Sequence, residues 1–326
     1  MTVVVGMRLS PASGIIATDE QTSYGGGRKS EHADKIYVQN GDGLPRLIAA
    51  GSGNAGLITK LIRAYDDASR ADPAQMGPES FHTTVQKTKL TVLDEYLNSK
   101  YGVGLAAFHS GIDPRTGRQL SENAMSRIEK VIDENGGEIN ETLRTEFVLL
   151  EPDQMRIYHS GMMSPTLMPT ARPYLPIGSG ADGADTYLSR FFDKMPRETR
   201  ANVPFISGLH AALSALDEAS RINQGVDGAP ALAIIREGEF YRPSQRNSRL
   251  ATEIVAADNA DLLAEGFVGD VLEDLVEHAD SFDRVDRAFK KAAKNLRSLD
   301  LFLREYQDYH APSVDPPSND FSSSDS

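Results

Sequence analysis

The sequence predicts a mixed α+β protein, on three observations. Short apolar, β-branched runs cluster within residues 3–50 and recur at 147–150, 155–158, 174–177 and 229–235. Longer, more polar stretches with helical spacing separate these groups. The resulting order of strands, helices, strands, helices lacks the strict βαβ alternation of a doubly wound sheet, so layered α and β segments are expected. At 326 residues the chain is long enough to bury a large core without covalent staples.

The elements follow in chain order. Val3-Val4-Val5-Gly6-Met7 is a strand, Ser10-Pro11-Ala12-Ser13-Gly14 a turn, and Gly14-Ile15-Ile16-Ala17-Thr18 the hairpin partner. A Gly-rich stretch from Tyr24 to Arg28 leads to a strand at Lys35-Ile36-Tyr37-Val38. Asn40-Gly41-Asp42-Gly43 signals a tight hairpin turn into Arg46-Leu47-Ile48-Ala49-Ala50. Gly51-Ser52-Gly53 closes that strand, and Leu57, Leu61, Ile62 and Tyr65 mark a helix to about Asp67. Residues 70–143 read as a polar helical insertion. Phe147–Leu150 and Met155–Tyr158 read as paired strands, and Tyr174–Ile177 as another that ends at Gly178-Ser179-Gly180. A helix through Tyr187, Leu188 and Phe191 follows, then one over Ile206–Ile222, a buried-type strand at Ala229–Ile235 and a turn at Glu237-Gly238-Glu239. Residues 2–242 are thus expected as one domain, 243–311 as a helical C-terminal extension and 312–326 as a disordered tail. Within the extension, Val285, Phe289, Ala292, Leu296, Leu299, Leu303 and Tyr306 form an apolar helical stripe, which motivates a homo-oligomer contact.

Composition excludes several classes. With no Cys there is no disulfide framework, zinc finger or thiol catalyst. A formal charge of −13 argues against a basic nucleic-acid surface. Most of that charge is local: Glu253–Asp286 carries 11 acidic residues against Arg284, a net −10, whereas residues 1–252 sum to −3. The acidic segment reads as a solvated helical face. No apolar run reaches the roughly 18–20 residues that span a bilayer, and Arg8 comes too early for a signal peptide, so a cytoplasmic, membrane-free protein is expected. The seven His residues show no HExxH or other metal spacing, and no GxSxG elbow occurs, so neither metal nor cofactor is expected.

Two glycine loops require a choice. Gly51-Ser52-Gly53-Asn54-Ala55-Gly56 and Gly178-Ser179-Gly180-Ala181-Asp182-Gly183 both match GxGxxG between a strand and a helix. A dinucleotide site would place a pyrophosphate at the helix N-terminus. Two hairpins precede the first loop, however, and no parallel strand with a terminal acid follows it, so that reading is weak. Both turns also permit close backbone approach and N–H groups aimed at developing negative charge, as on the rim of an active site.

Thr2-Val3-Val4-Val5-Gly6, Gly14–Asp19, Ala33-Asp34-Lys35-Ile36, Ala49-Ala50-Gly51-Ser52-Gly53 and Pro176-Ile177-Gly178-Ser179-Gly180, in this order, resemble the proteasome β-subunit family of N-terminal nucleophile hydrolases. The segment around Asn223 and Asp227 looks most like the bacterial Anbu-type branch. The resemblance covers residues 2–66 and about 144–240. It implies a four-layer αββα sandwich and an N-terminal threonine hydrolase that cleaves peptide bonds through an acyl-enzyme. Thr2, exposed by removal of Met1 alone, would be the nucleophile, and its α-amine, with an ordinary pKa of about 7.7–8.0, the base. Lys35 would favour the developing alkoxide, Asp19 would hold Lys35, the Gly51 N–H would face the oxyanion, and Ser179 would help relay protons. Asn223 and Asp227 fall near the family's further relay positions with altered chemistry. Ser23 and Gly51 would flank a substrate strand, and Thr22, Ala33, Ala49 and Gly53 would line a roomy pocket. Peptide or protein substrates and a homo-oligomer follow from the same resemblance. A transpeptidase, in which an amine intercepts the acyl-enzyme, and an inactive scaffold are the alternatives. The 70–143 insertion and the chain beyond 242 exceed a minimal β-subunit, which bears on ring geometry and on any ATPase partner. Taken singly, Asp19 and Lys35 read equally as a plain ion pair and Ser179 as a helix N-cap.

Overall fold

The computed structural model describes residues 2–277, apart from 20–21, 25–27, 31–34, 42, 73–75, 102–103, 113–115, 123–125, 127–138, 140–142, 162–165, 224–229 and 265. The apolar stripe at 285–306, the tail from 312, and the positions of Ala33 and Asp227 lie outside the described residues.

In chain order the strands are β1 (Val3–Ser10), β2 (Ser13–Asp19), β3 (Thr22–Tyr24), β4 (Arg28–Ser30), β5 (Ile36–Gln39) and β6 (Leu47–Gly53). Helices α1 (Ala55–Ala71), α2 (Pro78–Tyr101) and α3 (Leu105–Ser110) follow. Next come β7 (Thr145–Glu151), β8 (Arg156–Ser160), β9 (Met168–Pro169) and β10 (Tyr174–Gly178). Helices α4 (Ala181–Asp193) and α5 (Phe205–Ile222) precede β11 (Pro230–Arg236) and β12 (Glu239–Tyr241), and α6 (Gln245–Asn259) and α7 (Phe267–Glu277) come last. Among the described residues the strands form two five-stranded sheets, β10-β1-β2-β11-β12 and β5-β6-β7-β8-β9, and a ribbon of β3 with β4. Every pairing is antiparallel. The expected α+β class is what forms, and β6, set between antiparallel neighbours, is not the opening strand of a dinucleotide unit.

The strands read as nearly unbroken apolar runs because both of their faces are buried. In β1, Val3, Val5, Met7 and Leu9 join one core cluster while Val4 joins another. The first cluster lies between the β1-containing sheet and helices α4 to α7, through Leu188, Phe192, Leu209, Leu213, Leu250, Ile254, Leu272 and Leu275. The second lies between the two sheets and gathers Val4, Ile16, Ile48, Val148, Leu150, Ile157, Ile177 and Ile235. A third packs the other face of the β6–β7 sheet, through Leu47, Phe147 and Leu149, on Leu57, Leu61 and Tyr65 of α1 and Phe81 and Val85 of α2.

Two segments pack more closely on the body than their composition suggests. Leu250, Ala251, Ile254, Val255, Val271 and Leu272, within the expected extension, belong to the same core cluster as β1. Of the acidic residues described there, Asp261 and Asp270 are exposed and Asp258, Glu273 and Asp274 partly so, on helices whose other side is core, whereas Glu253 is largely buried. Likewise α2, in the expected insertion, buries Phe81, His82, Val85 and Lys89 at spacings of one, three and four. The sequence marks these segments as helical but not their packing, because a narrow buried stripe is diluted by charge on the rest of the surface.

The tightest point between the sheets is Gly6. A Cβ there would sit 2.5 Å from Val148 Cγ1, well inside contact distance. Gly6→Ala is expected to cost about 1–3 kcal/mol in urea unfolding through overpacking, and Val148→Ala in the same chain should recover part of that loss.

Candidate active site

Strand pairing alone places the N-terminal segment. β1 lies between β2 and β10, with Val4 opposite Thr18 and Val3 opposite Gly178. The residue before Val3 is thereby held between the end of β2, which carries Asp19, and the Gly178-Ser179-Gly180 turn. Thr18 Oγ1 donates to the Val3 carbonyl at 3.0 Å, and Val3 N–H donates to Asp19 Oδ1 at 2.9 Å. Lys35 directly precedes β5, so its side chain approaches from the second sheet.

Four of the five catalytic candidates converge. Lys35 Nζ donates to Thr2 Oγ1 at 3.1 Å and to Asp19 Oδ1 at 3.1 Å. Thr2 N donates to Ser179 Oγ at 3.1 Å, and the same hydroxyl lies 3.4 Å from the Thr2 carbonyl, to which it donates. Gly180 N–H also donates to that carbonyl, at 3.3 Å. Thr2, Asp19 and Lys35 are all buried. Asp19 and Lys35 do form an ion pair, yet the ammonium is shared with the Thr2 hydroxyl, which a plain ion pair does not require. Ser179 is not a helix cap: the residue at the start of α4 is Gly180, with no side-chain cap. At the other glycine loop the cap is Asn54, whose Oδ1 accepts from Leu57 N–H. That N–H is thus committed inside the protein.

Gly51, the fifth candidate, sits in β6 with its N–H directed at the Lys35 carbonyl across a long 3.4 Å contact. The expected pocket residues divide. Thr22 and Ser23 lie in β3, and Gly53 ends β6 with a positive φ of 121°. Ala49 is buried in the cluster with Phe147, Leu57 and Leu61. Phe147 and Ile58 already stand 2.8 and 3.3 Å from where a Gly51 side chain would begin. The absence of a side chain at Gly51 therefore leaves room for the Phe147 ring, while Ala49 packs in the cluster between its sheet and α1. Asn223, at the end of α5, donates through Nδ2 to the Ser179 carbonyl at 2.9 Å.

The sequence reading missed Glu146. Its Oε1 accepts from Gly178 N–H at 3.1 Å and its Oε2 meets His159 Nε2 at 3.2 Å. A glutamate at the start of an apolar strand carries no sequence signal that separates it from a surface residue.

Burial dominates the electrostatics of Asp19. Desolvation pushes its carboxyl up to about 6, against the pull of Lys35 and the Val3 N–H. The cause is visible: Oδ1 takes the partners, while Oδ2 is buried with no hydrogen-bond partner among the described residues. Among the described residues no cluster of His, Asp and Glu could hold a metal ion, and no helix is long and apolar enough to cross a membrane.

Among solved structures, the chain is similar to Anbu (ancestral beta-subunit) from Yersinia bercovieri. The two share 17% identity over 74% of this chain and 86% of that one, with a TM-score of 0.45. No family model and no curated protein matches the sequence.

The raised Asp19 carboxyl sets a pH test. Because the folded-state value lies above the unfolded one, its contribution to stability is full below about 4 and is lost as pH rises to about 6. A shift of this size corresponds to about 3 kcal/mol. Asp19→Asn, which keeps an oxygen for Lys35 and the Val3 N–H, should flatten that decline in urea unfolding measured from pH 4 to 7.

Proposed function

We propose that this chain is an N-terminal threonine hydrolase that cleaves peptide bonds through an acyl-enzyme on Thr2. The αββα sandwich of N-terminal nucleophile hydrolases is the architecture this reading assigns to its sheets and helices. The observation that carries the proposal is the placement of Lys35 Nζ 3.1 Å from Thr2 Oγ1 while Thr2 N contacts Ser179 Oγ. One residue thus has its hydroxyl beside a cation and its nitrogen beside a hydroxyl relay.

In the full chain Thr2 N is a peptide nitrogen and cannot act as a base. Removal of Met1 converts it to an amine at the same position. The neutral amine takes the proton from Oγ1 as the oxygen attacks the substrate carbonyl carbon. Lys35 stabilises the alkoxide character of Oγ1, and Asp19, largely ionised at neutral pH, keeps the ammonium in place. The Gly51 N–H exchanges its long contact with the Lys35 carbonyl for the oxyanion. When the tetrahedral species collapses, the C–N bond breaks and the leaving amine takes the proton from the α-ammonium, with Ser179 Oγ bridging. Water then attacks the ester, giving its proton to the amine, and regenerates the Thr2 hydroxyl and the carboxylic acid product. The reading carries with it a peptide or protein substrate, a cytoplasmic setting and a homo-oligomer.

Intact-mass spectrometry with an electrophile directed at N-terminal threonine tests this. The expected result is loss of Met1 and a single adduct on Thr2, absent in Thr2→Ala. Lys35→Ala should lower kcat/KM for a fluorogenic peptide by about 10³-fold or more, and Ser179→Ala by about 10–10²-fold. Retained Met1, no adduct, or peptide turnover that survives Thr2→Ala would overturn the proposal. Ligated product on adding a competing amine would redirect it to transpeptidation.

A further inference from the structure

Ser179 works only if its hydroxyl stays against Thr2 N, and the backbone there is unusual. Gly178 has a φ of +95°, a region that L side chains rarely adopt, and a Cβ on it would fall 2.2 Å from the Thr2 carbonyl oxygen. A turn this close to the N-terminal residue needs outside support. It receives support on both sides of Ser179. Asn223 Nδ2 holds the Ser179 carbonyl, and Glu146 Oε1 holds the Gly178 N–H from the opposite sheet.

Glu146 is itself fixed with care. Residues 144 to 146 each bind a different element: the Arg144 carbonyl accepts from Asn54 N–H before α1, the Thr145 carbonyl accepts from Lys89 Nζ of α2, and the Glu146 carboxylate reaches Gly178. The Lys89 contact is 2.7 Å, on a side chain only 1% exposed, and burial pushes that ammonium down to about 8. A buried lysine directed at a strand carbonyl is a costly way to anchor a segment unless its position matters. The second carboxylate oxygen is turned toward His159, whose hydrogen bond holds Glu146 below the usual carboxylate range.

We propose that Glu146 is a positioning residue: through the Gly178 N–H it sets the Ser179 hydroxyl against the nitrogen of Thr2. The proposal rests on Thr2 as the nucleophile for its kinetic consequence, but not for its structural one. It extends the working site to the second sheet and, through Lys89, to helix α2. Ground-state peptide binding does not pass through Glu146, so the effect belongs in kcat and not in KM.

The test compares Glu146→Ala, Glu146→Gln and Glu146→Asp in the full chain. Gln keeps an acceptor oxygen at the same reach, whereas Asp keeps the charge but is one methylene short. Two quantities are read: hydrogen exchange at the Gly178 amide, and the rate and affinity constants for labelling of Thr2 by the electrophile. The Ala and Asp variants should speed Gly178 exchange about tenfold or more and slow the labelling rate constant about 10–10²-fold, with the affinity constant within about twofold. Gln should restore both measures to within about threefold of the starting protein. Unchanged Gly178 exchange in the Ala and Asp variants overturns the proposal, as does a loss confined to affinity, or a Gln variant as impaired as Ala. If Ala fails to unfold cooperatively, the Gln and Asp variants decide the matter. Absence of any Thr2 adduct in the unmodified chain sinks the threonine-hydrolase reading alone, because the exchange measurement needs no reaction.

Discussion

Everything at the candidate site depends on the register of β1 between β2 and β10. Val3 opposite Gly178 and Val4 opposite Thr18 leave Thr2 one residue beyond the point where both neighbours end. A slip of one residue would turn Val3, Val5, Met7 and Leu9 from the helical core to the space between the sheets, where Gly6 now faces Val148. Hydrophobic burial on two faces therefore fixes the position of a polar N-terminal residue. The hydrogen bonds from Thr18 and to Asp19 lock the same register at its end. The geometry of the candidate site is a consequence of core packing in the strand that follows.

The cost of this arrangement is concentrated on Asp19 and Lys35. Two buried charges, with one carboxylate oxygen lacking a partner among the described residues, make a poor stabilising pair, because desolvation outweighs the attraction. A site built for stability alone would satisfy Oδ2 or replace both groups with apolar ones. What the pair secures is a buried ammonium within hydrogen-bond reach of the Thr2 hydroxyl, where its field is screened less than it would be in water. The unfavourable burial and the useful field have the same origin.

The parts of this arrangement that were legible in the sequence are those written in local pattern. β1, β2, β6, β7, β10 and β11 are runs of Val, Ile, Leu and Ala bounded by turn residues, and each forms close to where that pattern places it. Thr2, Asp19, Lys35 and Ser179 stood out only through the resemblance of their motifs, taken in order, to a known family, since Asp19 and Lys35 singly look like surface residues. The rest depends on partners distant in sequence. The need for glycine at 51 comes from Phe147, nearly a hundred residues on, whose ring lies 2.8 Å from where a Gly51 Cβ would be. Glu146 acquires its role only from a Gly178 amide in another sheet.

Charge conceals structure in the same way. Lys89 lies in the buried stripe of a helix whose composition is otherwise polar, and its Nζ donates to the Thr145 carbonyl of β7. Residues 253–277 carry much of the acidity of the chain, yet Ile254, Val255, Val271, Leu272 and Leu275 pack in the core that backs β1. A segment so charged can still be integral, because a helix needs only one apolar stripe to be held and the remaining surface is free to take any solvated residue. The acidic helices are thus part of the same packing that sets the β1 register, and through it the position of Thr2.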